Sequence, residues 1–264
     1  MLQPIITDIR REVWNAIIAS PKFWGLAALA LVLTMGLGSW VGWSDVVFAP
    51  FLIVVFYVVS VYNKARTSFW KQFADVNGWR YTHHSDPSQE SGIMFRQGKG
   101  RSISHCIEGN AEDRKFRIFN YEFSIGSGRN KHTYYYTVFA FLFLGRFPHV
   151  YLNRTQNAYG VSVGEHISLP AEFEKKFVLS APREYEIEAL EMFTPAVLAK
   201  LLDNDFPHDI EFVNQEMLIF SAGRVQNFGQ LEKEFKRALE LEDILDEKLD
   251  RFKFQPIGDR PHIL

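Results

Sequence analysis

Hydrophobic and polar positions along this chain fall into three rhythms: unbroken apolar runs near the N-terminus, strand-like segments in the middle, and helical spacing at the end. Residues 23 to 43 (FWGLAALALVLTMGLGSWVGW) contain no ionisable side chain. As a helix of about 21 residues they extend roughly 31 Å, against a hydrocarbon core of roughly 30 Å. Residues 46 to 62 (VVFAPFLIVVFYVVSVY) form a second uncharged run, which at about 17 residues is near the lower limit for crossing. Only Ser44 and Asp45 stand between them, so the pair predicts a tight transmembrane helical hairpin over 23–63. Pro50 lacks an amide hydrogen and sits best in a first turn, which starts the regular part of the second helix near it. Whether that short second run crosses fully or is re-entrant stays open at this level. A cleaved signal peptide would need a shorter apolar region and a clean small-residue cleavage site, and a soluble helix pair would need a polar stripe that the first run lacks.

Ahead of the hairpin, Ile5, Ile9, Val13 and Ile17 recur every four residues, with Asp8, Arg10, Arg11 and Glu12 on other faces. This spacing predicts a short amphipathic helix on the inner membrane surface, within a cytoplasmic segment 1–22. Within the first run Ala30, Thr34, Gly38 and Gly42 also recur every four residues, a row of small side chains that lets another helix approach closely. The tethered second helix is the nearest candidate for that groove, with contact between subunits as the alternative. Arg10, Arg11 and Lys22 precede the first run, Lys64, Arg66 and Lys71 follow the second, and the turn has neither Lys nor Arg. The positive-inside rule then predicts a multi-pass protein of the inner (plasma) membrane with both termini cytoplasmic.

Phe69, Trp70, Phe73 and Val76 mark a helix over about 64–77, stopped by Gly78. Strands are predicted near 80–84, 101–108, 115–125, 132–144 and 149–153, rich in β-branched and aromatic residues and separated by Gly, Pro, Asn or Asp. Both alternating faces of 134–144 (YYYTVFAFLFL) are apolar, the mark of a central strand covered on both sides. Further on, 177–179 reads as a strand, and Thr194-Pro195 opens a helix to about Asp203. Residues 210–213 and 217–220 suggest a hairpin. Leu231, Phe235, Ala238, Leu245 and Leu249 stripe a long final helix over about 228–251, with Glu242 interrupting a strict heptad. The expected fold is α+β: a transmembrane helical hairpin, then a mainly antiparallel β-rich cytoplasmic domain over 64–264 ending in a long helix.

Charge narrows the partners. The formal charge is −2, and residues 1–63 sum to zero, so the domain carries all of it. Nucleic acid is an unsuitable partner for it, because phosphate affinity comes from accumulated Lys and Arg. The single cysteine, Cys106, forms no internal disulfide and lies between Ile103 and Ile107 in a predicted strand, the setting of a buried structural thiol. Eight histidines lack metal-ligand spacing, so neither a metal nor a cofactor is expected. The loop 126–131 (GSGRNK) offers Gly126 and Gly128 for backbone freedom and Arg129 and Lys131 as cations, a candidate anion or lipid head-group contact. It precedes a strand rather than a helix, so the dipole of a true phosphate loop is missing and a plain hairpin turn competes with that reading.

The blocks 92–98 (GIMFRQG), 119–139 (FNYEFSIGSGRNKHTYYYTVF) and 193–203 (FTPAVLAKLLD), together with the two-helix hairpin, resemble a group of uncharacterised bacterial two-transmembrane-helix proteins of unknown function. The resemblance implies a bacterial origin and this topology, and brings no activity or ligand with it. Two functional classes follow. One is a membrane-anchored binding or assembly module whose cytoplasmic domain meets a protein or lipid partner, or a second copy of itself. The other is a membrane-associated hydrolase or transferase with dispersed catalytic residues, for which Cys106, Glu108 and His105 are the first places to look. The absence of a catalytic motif favours the first.

Overall fold

The computed structural model describes residues 2, 3, 5, 8–41, 48–111, 114–157 and 159–253, with backbone alone at 37–41, 48–51, 111 and 246–253. The architecture is α+β: N-terminal helices, a seven-stranded antiparallel sheet and a long C-terminal helix. The chain divides into two compact units, Met1–Asn77 with Gln226–Leu231, and Gly78–Val225 with Glu232–Leu264.

The first unit holds three helices, α1 (Ile9–Ile18), α2 (Pro21–Val41) and α3 (Phe48–Asn77). Asp8 caps α1, its carboxylate accepting from the amides of Arg10 at 2.8 Å and Arg11 at 3.2 Å. Both α1 and α2 pack on α3. The expected short helix over 64–77 is instead the second half of α3, because nothing between Tyr62 and Phe69 breaks a helix. Gly78, at φ +69°, follows its end in the left-handed conformation that glycine adopts without strain.

The second unit is built on β1 (Arg80–Ser85), β2 (Lys99–Ala111), β3 (Arg114–Ile125), β4 (His132–Arg154), β5 (Glu165–Ile167), β6 (Phe177–Ala181) and β7 (Asp209–Ala222). Between β5 and β7 come α4 (Ala171–Glu174), α5 (Glu186–Met192) and α6 (Pro195–Asp203), and α7 (Phe228–Lys253) closes the chain. The spine is β4, 23 residues long. Its first half pairs with β3 and its end, residues 151–154, with β6 along one edge, while β7 runs along the other for most of its length.

Two expected pairs of strands are therefore single long strands. Residues 132–144 and 149–153 are one strand, β4, and the predicted hairpin of 210–213 with 217–220 is one strand, β7. The interruptions are absorbed locally. The pairing slips between Leu142 and Phe147, opposite Asn214, which takes φ +55° and bends β7 without reversing it.

Alternation assigns the two faces of the sheet. Phe119, Tyr121, Phe123, Tyr136, Val138 and Phe220 share one core with Met94 and Phe95. On the other face, Phe116 and Phe139 lie 5.0 and 6.1 Å from the Phe235 ring of α7. The expectation of two covered faces holds from Tyr136 to Phe141, whereas Leu142 and Leu144 beyond them are 48% and 88% exposed. In α7 the stripe residues Leu231, Phe235, Ala238 and Leu245 are buried, and Leu249 lies outside the described side chains. Glu242, which broke the heptad, is also buried in that stripe, with its carboxylate paired to Arg114 of β3.

Candidate functional site

Two regions carry chemistry, one in each unit. In the first unit, α2 turns a half-buried stripe of Phe23, Leu26, Ala27, Ala30 and Thr34 toward α3. There Ser20 Oγ lies 3.1 Å from the Tyr57 hydroxyl, and the Phe23 and Tyr57 rings are 6.1 Å apart. Thr34 Oγ1 donates to the Ala30 carbonyl at 2.6 Å, so the one hydroxyl in the stripe is satisfied within its own helix. Of the other two small residues singled out, Gly38 is described only as helical backbone and Gly42 lies outside the described residues. So do Trp43, Ser44 and Asp45 of the expected turn.

Among the described side chains of α2, the large apolar residues Trp24, Leu29, Leu31, Val32 and Met35 are exposed, and α3 adds Leu52, Ile53, Phe56 and Val59. A surface of this kind marks an interaction site, since contiguous apolar area is costly to leave in water. Among the described residues no single helix is long and apolar enough to cross a membrane. One bent pair meets that measure together, Ile9–Ile18 with Pro21–Gly36, at 60°. This is consistent with membrane association.

In the second unit a polar centre lies under the sheet where β4 and β7 run together. Asp209 and Glu211 alternate with Ile210 and Phe212 on β7, so both carboxylates fall on one face, and both are fully buried. Glu211 stands opposite Tyr151 of β4. Its Oε1 accepts from Ile93 N at 2.6 Å, and His149 Nε2 lies 2.7 Å from the same oxygen. Asp209 Oδ1 accepts from Arg154 N and from Asn157 Nδ2, both at 2.7 Å.

Burial pushes the Asp209 carboxyl up to about 7, the donors from Arg154, Asn157 and Tyr151 offsetting only part of that cost. Burial, followed by the charges of Asp209 and Glu211, pushes the Tyr151 hydroxyl well above its ordinary value. A second polar cluster seals the nearby face. Arg117 donates to Glu90 Oε1 and Oε2 at 2.8 Å each and to Glu216 Oε1 at 2.6 Å. Together these groups clasp the segment carrying Glu90 and Ile93 onto the sheet.

The residues expected from sequence stand elsewhere. Gly126, Gly128, Arg129 and Lys131 form the exposed turn between β3 and β4. Its glycines take φ +80° and +56°, and a Cβ at Gly126 would meet the Asn130 carbonyl oxygen at 2.2 Å. The Asn130 and Lys131 amides are spent inside the turn, on Ser127 O and Gly128 O. Those two amides are thus not offered to an anion, and the cationic side chains of Arg129 and Lys131 are.

Cys106 is buried, and desolvation raises its thiol to about 11, the opposite of an activated nucleophile. His105 is held by Tyr81, whose hydroxyl lies 2.9 Å from its Nδ1, and Glu108 pairs with Arg80 at 3.7 Å. Among the described residues no group of three or more His, Cys, Asp or Glu is placed to hold a metal ion. Sequence reasoning missed Asp209, Glu211 and Glu90. The one signal for the first two was their spacing of two within an otherwise apolar strand.

No protein-family model matches this chain, and no curated protein matches it. A solved structure with a similar fold is the crystal structure of the mycobacterial trehalose monomycolate transport factor A, TtfA. It aligns with a TM-score of 0.50 at 13% identity, over 73% of this chain and 97% of that one. At that identity the likeness is one of fold.

Proposed function

We propose that this chain is a membrane-anchored module whose α+β domain, on the cytoplasmic side, binds or assembles a protein or lipid partner. The observation that carries this reading is the surface of α2, where one stripe turns to α3 while Trp24, Leu29, Leu31, Val32 and Met35 stay exposed. Lipid tails cover such a surface without cost, and water does not. The cations on both sides of the apolar runs support a cytoplasmic domain with two crossings. In the domain, exposed Leu142, Leu144, Ile187 and Leu190 offer apolar contact to a partner, while in the polar centre Asp209 Oδ1 and Glu211 Oε1 are engaged by backbone amides, Asn157 and His149. TtfA, which shares the fold, is named as a transport factor. A role in binding or passing on a lipid conjugate fits the same surface better than hydrolysis does, since the thiol first considered as a nucleophile is buried and protonated.

Fractionation of cells expressing the full chain and a form lacking residues 23–63 tests this reading, combined with protease applied outside intact cells. The full chain should pellet with membranes through an alkaline wash, with the domain protected, and should co-purify a partner after crosslinking. A full chain in the supernatant, or digestion beyond Lys64 from outside, overturns it.

A further inference from the structure

The helical spacing of Ile5, Ile9, Val13 and Ile17 makes them the obvious lipid-facing side of α1, yet that side is already occupied. Ile5 and Ile9 are buried at 9% and 0% exposure, Val13 and Ile17 are half-buried, and α1 packs on α3. The face left over carries Arg10, Trp14 and Ile18, four apart, with Arg11 beside them. Trp14 is 66% and Ile18 46% exposed, and both arginines are exposed. The Asp8 carboxylate is spent on the backbone amides of the two arginines, and among the described residues no acid pairs with either guanidinium.

The same face continues onto α2. Trp24 Nε1 donates to the Ile18 carbonyl at 3.0 Å, which brings a second exposed indole against the end of α1. The helices meet at 60°. The backbone of α2 runs over 21 residues, roughly 31 Å, a length comparable with the hydrocarbon core. Driving α1 into hydrocarbon would bury Arg10, Arg11 and Glu12, each charged group a cost, whereas lying in the head-group layer leaves them at phosphate level. Exposed indoles beside guanidinium groups match that layer, where rings sit at the interface and cations meet anionic head groups.

We propose that α1 lies along the membrane surface and binds anionic phospholipid through Arg10, Arg11, Trp14 and Ile18, with Trp24 at the same level. This rests on the membrane-anchored reading of α2 and α3, and it reverses the side of α1 that sequence periodicity assigns to lipid.

The test uses the full-length protein in a Cys106→Ala background, reconstituted into vesicles of phosphatidylcholine alone or with phosphatidylglycerol. An environment-sensitive fluorophore is placed at Trp14→Cys or, as the anchor reference, at Phe56→Cys. The Trp14 label should shift to the blue more strongly with phosphatidylglycerol and be quenched by shallow rather than deep lipid quenchers. Adding Arg10→Gln with Arg11→Gln should remove the phosphatidylglycerol dependence. Circular dichroism confirms that the variants remain folded.

A Trp14 label in water beside a Phe56 label in lipid overturns the surface-binding proposal and leaves the anchor standing. Both labels in water overturn both. Deep quenching at Trp14 means that α1 spans, and an equal shift in the two lipids removes the anionic class; either result overturns the proposal.

Discussion

Glu211 occupies the space that the missing side chain of Gly92 leaves open: a Cβ built on Gly92 would stand 2.7 Å from Glu211 Oε2 and 2.8 Å from Leu218 Cδ1. The neighbouring Ile93 amide donates to the same carboxylate, so the glycine and the buried acid form one device that fixes the segment over the core. Gly92→Ala should therefore destabilise the domain by about 1–3 kcal/mol through overpacking. The shift in denaturant midpoint measures it, and an unchanged midpoint would show that the segment yields without cost.

Arg117 holds two carboxylates at once, one of them on Glu90 with a side chain only 4% exposed. Removing the guanidinium leaves both facing each other with no countercharge. Arg117→Ala should cost roughly 3 kcal/mol, the effect of breaking a buried pair from one side. Adding Glu90→Gln to that variant should recover part of the loss. Thermal unfolding of the two variants distinguishes this from a simple loss of packing, for which Glu90→Gln would recover nothing.

The pH dependence has two components of opposite sign. The carboxyl of Asp209 is raised to about 7 by burial, so the fold favours its protonated form. Its contribution is fully present below the ordinary carboxylate range and is lost as pH rises toward and through 7. His83 is lowered, first by burial and then by the neighbouring His84, so the fold favours its neutral form and loses stability as pH falls below about 6.5. Unfolding midpoints from pH 4 to 9 should show Asp209→Asn removing the loss that develops as pH rises to about 7 and His83→Gln reducing the acid one. Parallel curves for wild type and Asp209→Asn would mean that this carboxyl does not titrate in the range.

Cys106 lies in the core, where burial raises its thiol to about 11. Thiolate is the reactive form, so a thiol reagent should modify the native protein at least about tenfold more slowly than the unfolded chain. Rapid stoichiometric modification of the folded protein would contradict its burial.

Much of the fold could be read directly wherever a pattern is local. The helix of Pro195–Asp203 follows from Thr194-Pro195, and that of Phe228–Lys253 from its apolar stripe. The turn at Gly126 follows from glycines that tolerate positive φ. Reading failed where local punctuation was overridden by distant pairing. Gly145 and Pro148 look like a strand break, as do Asn214 and Gln215, yet the two irregular stretches lie opposite each other and let β4 and β7 continue side by side. Glu242 looked like an interruption because its partner, Arg114, is 128 residues earlier in the chain.

The sequence by itself determined the apolar runs, the helical and strand periods, the charge at their flanks and the α+β class, because each depends on solvation or backbone preference within a few residues. Tertiary structure alone decided that Ile9 is covered and Trp14 faces outward, that Cys106 is sealed, and that Asp209 and Glu211 lie beside Tyr151 with His149 on Glu211. A period states that a helix or strand has two faces, but only the elements packed against it choose which face is covered. A buried carboxylate is tolerable only where chain segments far apart in sequence bring donors to it.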